Sequence, residues 1–235
     1  APGLAAAVAT AGAASVAASA LPPSLHISAI PVSIVLGSLA ANIGPMAAPS
    51  VAEALKPGLS LATSTVLRGG IVCVGAKLSA AQVLALGWAT IPAAAASVGT
   101  GLFVIPMLAA RAGLAPRLGS LLAAGTSICG VTAIGAVAPA IGATQAEVAI
   151  AVANVVAFGS LGMLAYPHVA SALFPREDSK SIGLFFGLAV HDTAQVMGCA
   201  ASYAEQYADA AVVAAAAVAK LTRNVLLAGV VPMLA

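Results

Sequence analysis

A histidine and an acid stand side by side in the middle of a long apolar segment. His191 and Asp192 lie at the centre of residues 182–200, which read IGLFFGLAVHDTAQVMGCA. A carboxylate in membrane hydrocarbon costs about 2.5–3.5 kcal/mol on insertion scales, so such residues persist where they face water, an ion or a partner. This pair could take up and release a proton near neutral pH, with Gln195 supporting it from the same face of a continuous helix. The alternative is a hydrogen-bonded cluster that only packs helices together.

The composition predicts a membrane protein. Of the 235 residues, 61% are hydrophobic and 7% are charged, whereas soluble domains carry about 25% charged residues. The net charge of +2 is too small to indicate nucleic-acid binding. The wide spacing of Cys73, Cys129 and Cys199 predicts packing residues rather than a metal site. The sequence has no phosphate loop, nucleophile elbow or zinc motif, so we expect no enzyme.

Eight apolar segments predict an all-α polytopic membrane protein. Each is near the roughly 20 residues that span a bilayer, and proline, glycine or returning charge marks most of the breaks between them. The segments cover residues 4–21, 29–47, 59–76, 82–109, 119–141, 146–168, 182–201 and 211–234.

The fifth segment predicts a broken crossing helix at 119–141. Glycine and proline both interrupt helices, and in a membrane unwound backbone is tolerated only inside protein or along a cavity. A half-helix N-terminus exposed by the break favours an anion. The alternative is close glycine packing without a ligand. The residues behind this prediction are Gly125, Thr126, Ser127, Gly130, Gly135 and Pro139.

Three basic residues within apolar segments predict an anionic substrate. Arg68 lies in the third segment, while Lys220 and Arg223 lie three residues apart in the eighth and share a helix face. Arginine binds oxyanions with a planar fork and lysine binds them as a point charge. The alternatives are snorkelling or internal salt bridges to Asp192, Glu147 or Glu205.

A weak internal repeat predicts two inverted halves. LGSLAAN at 36–42 resembles FGLAVHD at 186–192, which aligns Asn42 with Asp192 as a supporting residue, and 66–75 resembles 221–230. Basic loop residues place these segments in opposite directions across the membrane, as in secondary transporters with inverted repeats. The prediction is a single transmembrane domain over 1–235, with an extra N-terminal helix at 1–28, a first repeat at 29–168 and a partial second repeat at 182–235.

Four stretches together resemble the bacterial family of proposed sulfate exporters. They are VLRGGIVCVGAKL at 66–78, GTSICGVTAIGAVAP at 125–139, HDTAQV at 191–196, and Lys220 with Arg223. The family is placed in the superfamily of inverted-repeat transporters that includes bile-acid symporters and cation–proton antiporters. The resemblance runs along nearly the whole chain and implies two five-helix inverted repeats, each with a broken crossing helix.

Two departures from the family pattern stand out. The family usually has glutamate after the histidine, where this chain has Asp192. Family members also continue for about three further helices, so we expect C-terminal helices, among them a second crossing helix, to be missing from this chain.

Two functions follow as hypotheses. The first is export of a small sulfate-like anion across a bacterial inner membrane. Thr126, Ser127 and Gly130 would bind the anion together with Arg68, Lys220 and Arg223, while His191 and Asp192 would couple a proton without any cofactor. The second is a structural subunit of a larger membrane complex, such as one in a plastid membrane, with chlorophyll or carotenoid contacts. Either protein could form a homo-oligomer.

Overall fold

All regular structure in the described part of the chain is helical. The computed structural model describes residues 2–22, 29–66, 69–70, 80–175, 178–226 and 229. A π-helical turn at Ala62–Val66 continues α3. The ten α-helices in these ranges are α1 (Pro2–Ser19), α2 (Ala29–Ala47), α3 (Pro49–Leu61), α4 (Ala80–Arg111), α5 (Pro116–Ser127), α6 (Val131–Ala140), α7 (Gln145–Leu173), α8 (Ser179–Ala189), α9 (Thr193–Tyr207) and α10 (Ala211–Val225).

The lengths and surfaces of these helices confirm a polytopic membrane protein. Pro2–Ser19, Thr90–Arg111 and Gln145–Leu173 are each long and apolar enough to cross a bilayer, and shorter apolar helices accompany them. Large apolar side chains also lie on the outside, where Trp88 is 86% exposed and Phe103 is 83% exposed. Exposed apolar surface on this scale indicates contact with lipid.

One predicted break is wrong. The third segment was expected to begin at residue 59 after an irregular connection, yet α3 already begins at Pro49. Proline is well suited to the first position of a helix because its missing N–H would have no intrahelical partner there. The helix then continues through Pro57 into the π-helical turn at Ala62–Val66.

The chain divides into two compact units, Ala1–Lys77 with Ser202–Asp209, and Leu78–Ala201 with Ala210–Ala235. In the first unit, α1 packs against α2 and α3. Gly3 permits this close approach, because a Cβ there would lie 2.7 Å from the backbone nitrogen of Leu59. The predicted repeats at 29–168 and 182–235 stay a prediction.

The core of the second unit surrounds the predicted broken segment. Leu121 on α5, Ile134 and Val137 on α6, and Val155 on α7 are fully buried against one another. The centre of the unit is filled with close-packed apolar side chains. A polar group buried among them costs free energy unless it forms hydrogen bonds.

Candidate functional site

The fifth segment is broken, as the sequence predicted. Helix α5 ends at Ser127 and α6 begins at Val131. Between them Gly130 has φ +73°, a left-handed conformation that only glycine adopts readily. Gly130 is the N-cap residue of α6 and has no side chain to cap the helix, whereas the Cys129 thiol interacts with the backbone of Ala133 in the first turn.

The seventh segment is broken too, which the sequence analysis did not predict. Helix α8 ends at Ala189, Val190 is extended, and α9 begins at Thr193. The Asp192 carboxylate accepts a hydrogen bond from the backbone N–H of Ala194 at 2.8 Å and so caps α9. The prediction that His191 and Gln195 share a face of one continuous helix is therefore wrong.

The two breaks meet inside the second unit. A Cβ placed on Gly130 would lie 3.4 Å from both the Cα and the backbone nitrogen of Asp192, and 3.2 Å from a methyl group of Val155. The two breaks therefore lie against each other, at a point of contact that we call the crossing, as in sites formed by discontinuous transmembrane helices.

Replacing Gly130 with alanine should lower the free energy of unfolding by about 1–2 kcal/mol, because an L-residue is strained at this left-handed φ. Thermal unfolding in detergent, followed by circular dichroism, measures the effect. Gly135→Ala on α6 is the matched control, since no atom lies within 4 Å of the added methyl group and alanine favours a helix. Equal effects of the two substitutions would contradict this role for Gly130.

Arg223 binds both broken helices at once. It is 1% exposed. Its Nε donates to the carbonyl oxygen of Ser127 at 2.6 Å and its Nη1 to that of Leu188 at 2.6 Å, while Nη2 donates to the carbonyl of Thr126. These carbonyls belong to the C-terminal turns of α5 and α8, where the helix dipole favours a cation.

Lys220 repeats the arrangement one turn away. It is fully buried, and its Nζ donates to the carbonyls of Ile128 at 2.9 Å, Val190 at 3.2 Å and His191. An ammonium group has three N–H donors, so all of them are occupied by protein. Lys220 therefore contributes charge to the site rather than a free donor. Within the described residues neither Lys220 nor Arg223 forms a salt bridge; the ion pair found there joins Lys56 to Glu53.

Small residues bring α10 close enough for these contacts. A Cβ on Gly187 of α8 would lie 3.0 Å from the carbonyl oxygen of Ala216 and 3.1 Å from the backbone nitrogen of Lys220. One turn earlier, a Cβ on Gly183 would lie 2.8 Å from the backbone nitrogen of Ala216. Small residues let membrane helices approach closely. The close packing of α8 and α10 places Lys220 and Arg223 at the two breaks.

A cavity of about 430 Å³ opens beside the break in α5 and is large enough for a small oxyanion. Ser127 is 2% exposed, and its Oγ has no hydrogen-bond partner among the described residues. The Nδ1 atom of His191 is likewise buried and without a partner in that part of the chain. The polar residues that line the cavity are Ser97, Thr100, Thr126, Ser127, His191 and Arg223.

Other predicted site residues lie elsewhere. Gln195 donates to the carbonyl of Val156 and to Ser160 Oγ, each at 3.2 Å, and so binds α9 to α7. Asn42 belongs to the first unit, where its amide donates to the carbonyl of Ser38 on its own helix at 2.7 Å. Arg68 lies outside the described residues.

Several polar residues around the crossing were not predicted from the sequence. Ser97 and Thr100 line the cavity from α4, and the amide of Asn224 lies 3.4 Å from the hydroxyl of Thr193 at the start of α9. Asn224 follows Arg223 directly, so its position in the same intramembrane segment was the available signal.

The comparisons with known proteins identify related membrane proteins. A family model described as conserved hypothetical protein 698 matches residues 2–235. A UPF0324 membrane protein of Ralstonia nicotianae is 34% identical over 194 residues, which cover 75% of this chain and 48% of the relative. One from Pseudomonas aeruginosa is 32% identical over 213 residues, covering 84% and 55%. One from Bordetella bronchiseptica is 34% identical over 209 residues, covering 86% and 61%.

This chain thus spans about half the length of the curated relatives it matches. No solved structure matches it.

Proposed function

The chain belongs to the family of conserved hypothetical protein 698, and we propose that it is a secondary transporter rather than an enzyme. The curated relatives are named as membrane proteins. We propose further that the transported substrate is a small oxyanion such as sulfate, which the protein exports. The observation that carries this proposal is a pair of interrupted helices whose ends are held by two buried cations beside a cavity. The resemblance to proposed sulfate exporters supports the choice of anion.

The anion would lie in the cavity beside Arg223, whose positive charge offsets the negative C-terminal end of α5. The side chain of Arg223 provides positive charge there, and only three of its five N–H donors are engaged by carbonyls. Ser127 Oγ can donate a further hydrogen bond, since it has no partner among the described residues. Such charge-assisted hydrogen bonds are stronger than those between neutral groups.

Of the two residues expected to couple a proton, His191 is the better placed. It lines the cavity, and its buried Nδ1 is without a partner in the described part of the chain. Asp192 instead caps α9 with its carboxylate. In the proposed transporter His191 therefore carries the proton, while Asp192 stabilises the second break by capping α9.

Replacing Ser127 with alanine should reduce uptake of labelled sulfate into proteoliposomes by about tenfold or more at subsaturating sulfate, because a hydrogen bond to a charged group contributes about 1.5–3 kcal/mol. The protein itself loses no hydrogen bond found in the described residues, so its thermal stability should be unchanged or slightly higher.

Ser171→Ala on α7 is the control, since that hydroxyl donates to a backbone carbonyl on its own helix. Sulfate uptake that is unaffected by Ser127→Ala, or no uptake by the unaltered protein, would contradict the proposed function.

A further inference from the structure

The charges at the crossing of the two breaks do not balance. We assign Lys220 as an ammonium ion, because its Nζ lies against three carbonyl oxygens and only the charged form has an N–H donor for each of them. Arg223 is always protonated. Asp192, which caps α9, is the carboxylate next to them in the described part of the chain. Two positive charges and one negative charge leave a formal charge of +1 among the residues that the structure describes.

The helix ends do not change this sum. The C-terminal ends of α5 and α8 each carry about half a negative charge, and the N-terminal ends of α6 and α9 each carry about half a positive charge. The four ends flank the two breaks, so their partial charges sum to zero, and Arg223 binds the carbonyls of the two C-terminal ends that line the cavity. A singly charged anion would therefore neutralise the site, whereas a doubly charged anion would leave one negative charge uncompensated in the membrane.

His191 is the group at the cavity that can supply the missing charge. Its Nδ1 is buried and has no hydrogen-bond partner among the described residues, so a proton there would have no acceptor within that part of the chain. The charged groups on α10 that interact electrostatically with the His191 imidazole are Arg223 and Lys220. Asp192 follows it in the chain, and the hydroxyl-bearing residues Ser97 and Thr100 on α4 line the same cavity. The Cys129 thiol in the first break interacts with Lys220, Arg223 and Asp192. On α7, Glu147 is occupied in the cap of its own helix at Thr144.

Resting on the proposed function, we infer that the cavity binds a doubly charged oxyanion only together with one proton on His191, and binds a singly charged anion without a proton. The proton comes from solvent, adds to the Nδ1 lone pair and raises the local charge from +1 to +2. It leaves again when the anion leaves. The charge of the substrate thus decides whether its transport is coupled to a proton.

Sulfate and perchlorate test this inference, because both are tetrahedral and do not titrate near neutral pH, but they differ by one charge. Purified protein in weakly buffered detergent solution should take up one proton for each sulfate bound and none for each perchlorate bound. The apparent Kd for sulfate should rise about tenfold per pH unit on the alkaline side, as linkage to one proton requires, while the Kd for perchlorate should stay constant.

His191→Gln should abolish proton uptake with sulfate, whereas His168→Gln, at an exposed histidine on α7 outside the cavity, should retain it. Sulfate binding without proton uptake by the unaltered protein would overturn the inference and leave the proposed anion site standing. Absence of binding by either anion would overturn the proposed function and the inference together. The number of protons that the unaltered protein takes up for each sulfate bound tests the inference even if the His191 variant does not fold.

Discussion

Replacing Arg223 with leucine is expected to lower the free energy of unfolding by about 3–9 kcal/mol, since each of three buried carbonyls left without a donor costs about 1–3 kcal/mol. The carbonyls that lose their donor belong to Thr126, Ser127 and Leu188, at the ends of two different helices. Chemical unfolding in mixed detergent measures the change. Hydrogen exchange should rise at the ends of both α5 and α8, because one side chain holds both.

Arg111→Leu is the matched control, since Arg111 is an exposed residue at the end of α4. It should change stability by less than about 0.5 kcal/mol, as most surface substitutions do. Arg223→Lys should fall between the two, because it keeps the charge but loses the planar fork. If Arg223→Leu were as harmless as Arg111→Leu, the two breaks would not depend on this cation.

Replacing Gly101 with leucine should reduce labelled sulfate transport by more than tenfold. Gly101 lines the cavity from α4, and a side chain there would collide with Ser127 Oγ and fill the space beside it. The substitution removes no polar group and favours the helix by about 1 kcal/mol, while the close contact with Ser127 costs about 1–3 kcal/mol, so the free energy of unfolding is measured for the same variant. The measurement is the initial rate of uptake into proteoliposomes, at equal amounts of folded protein.

Gly99→Leu provides the control on the same helix. Gly99 is exposed, with no other atom within 4 Å of an added Cβ, so its leucine should face lipid and leave transport nearly unchanged. Equal transport by the two variants would show that the cavity is not on the path of the anion.

The break in the fifth segment was predictable because its cause is local. Glycine at position 130 has no Cβ to oppose a left-handed φ, and the surrounding glycines and Pro139 weaken the helix on both sides. The membrane character was predictable for a similar reason, since length and hydropathy are sums over the sequence and need no knowledge of tertiary contacts.

The break in the seventh segment had a signal that the sequence analysis passed over. Residues 190–192 contain neither glycine nor proline, so the apolar run reads as continuous. An acid followed three residues later by glutamine is nevertheless a typical start of a helix, and Asp192 with Gln195 has this pattern. Asp192 does cap α9, although Gln195 turns away to α7. A helix start in the middle of an apolar segment therefore indicates a break.

The partners of the two cations could not be predicted from the sequence. The spacing of Lys220 and Arg223 correctly placed them near each other, but their acceptors are backbone carbonyls up to 97 residues away along the chain. Every residue has a carbonyl, so residue type carries no information about which one is left unpaired. That information arises only when α8 and α10 pack together and the two breaks cross.

The most direct test of the central claim is to locate a bound oxyanion. Selenate is a tetrahedral dianion like sulfate, and selenium can be located by anomalous scattering in crystals grown with it at acidic pH. We predict one strong peak in the cavity, within hydrogen-bond distance of Ser127 Oγ and His191 Nδ1 and beside the Arg223 guanidinium. Selenate bound only at other places, or an empty cavity at saturating selenate, would contradict the claim that the crossing of the two broken helices forms an anion site.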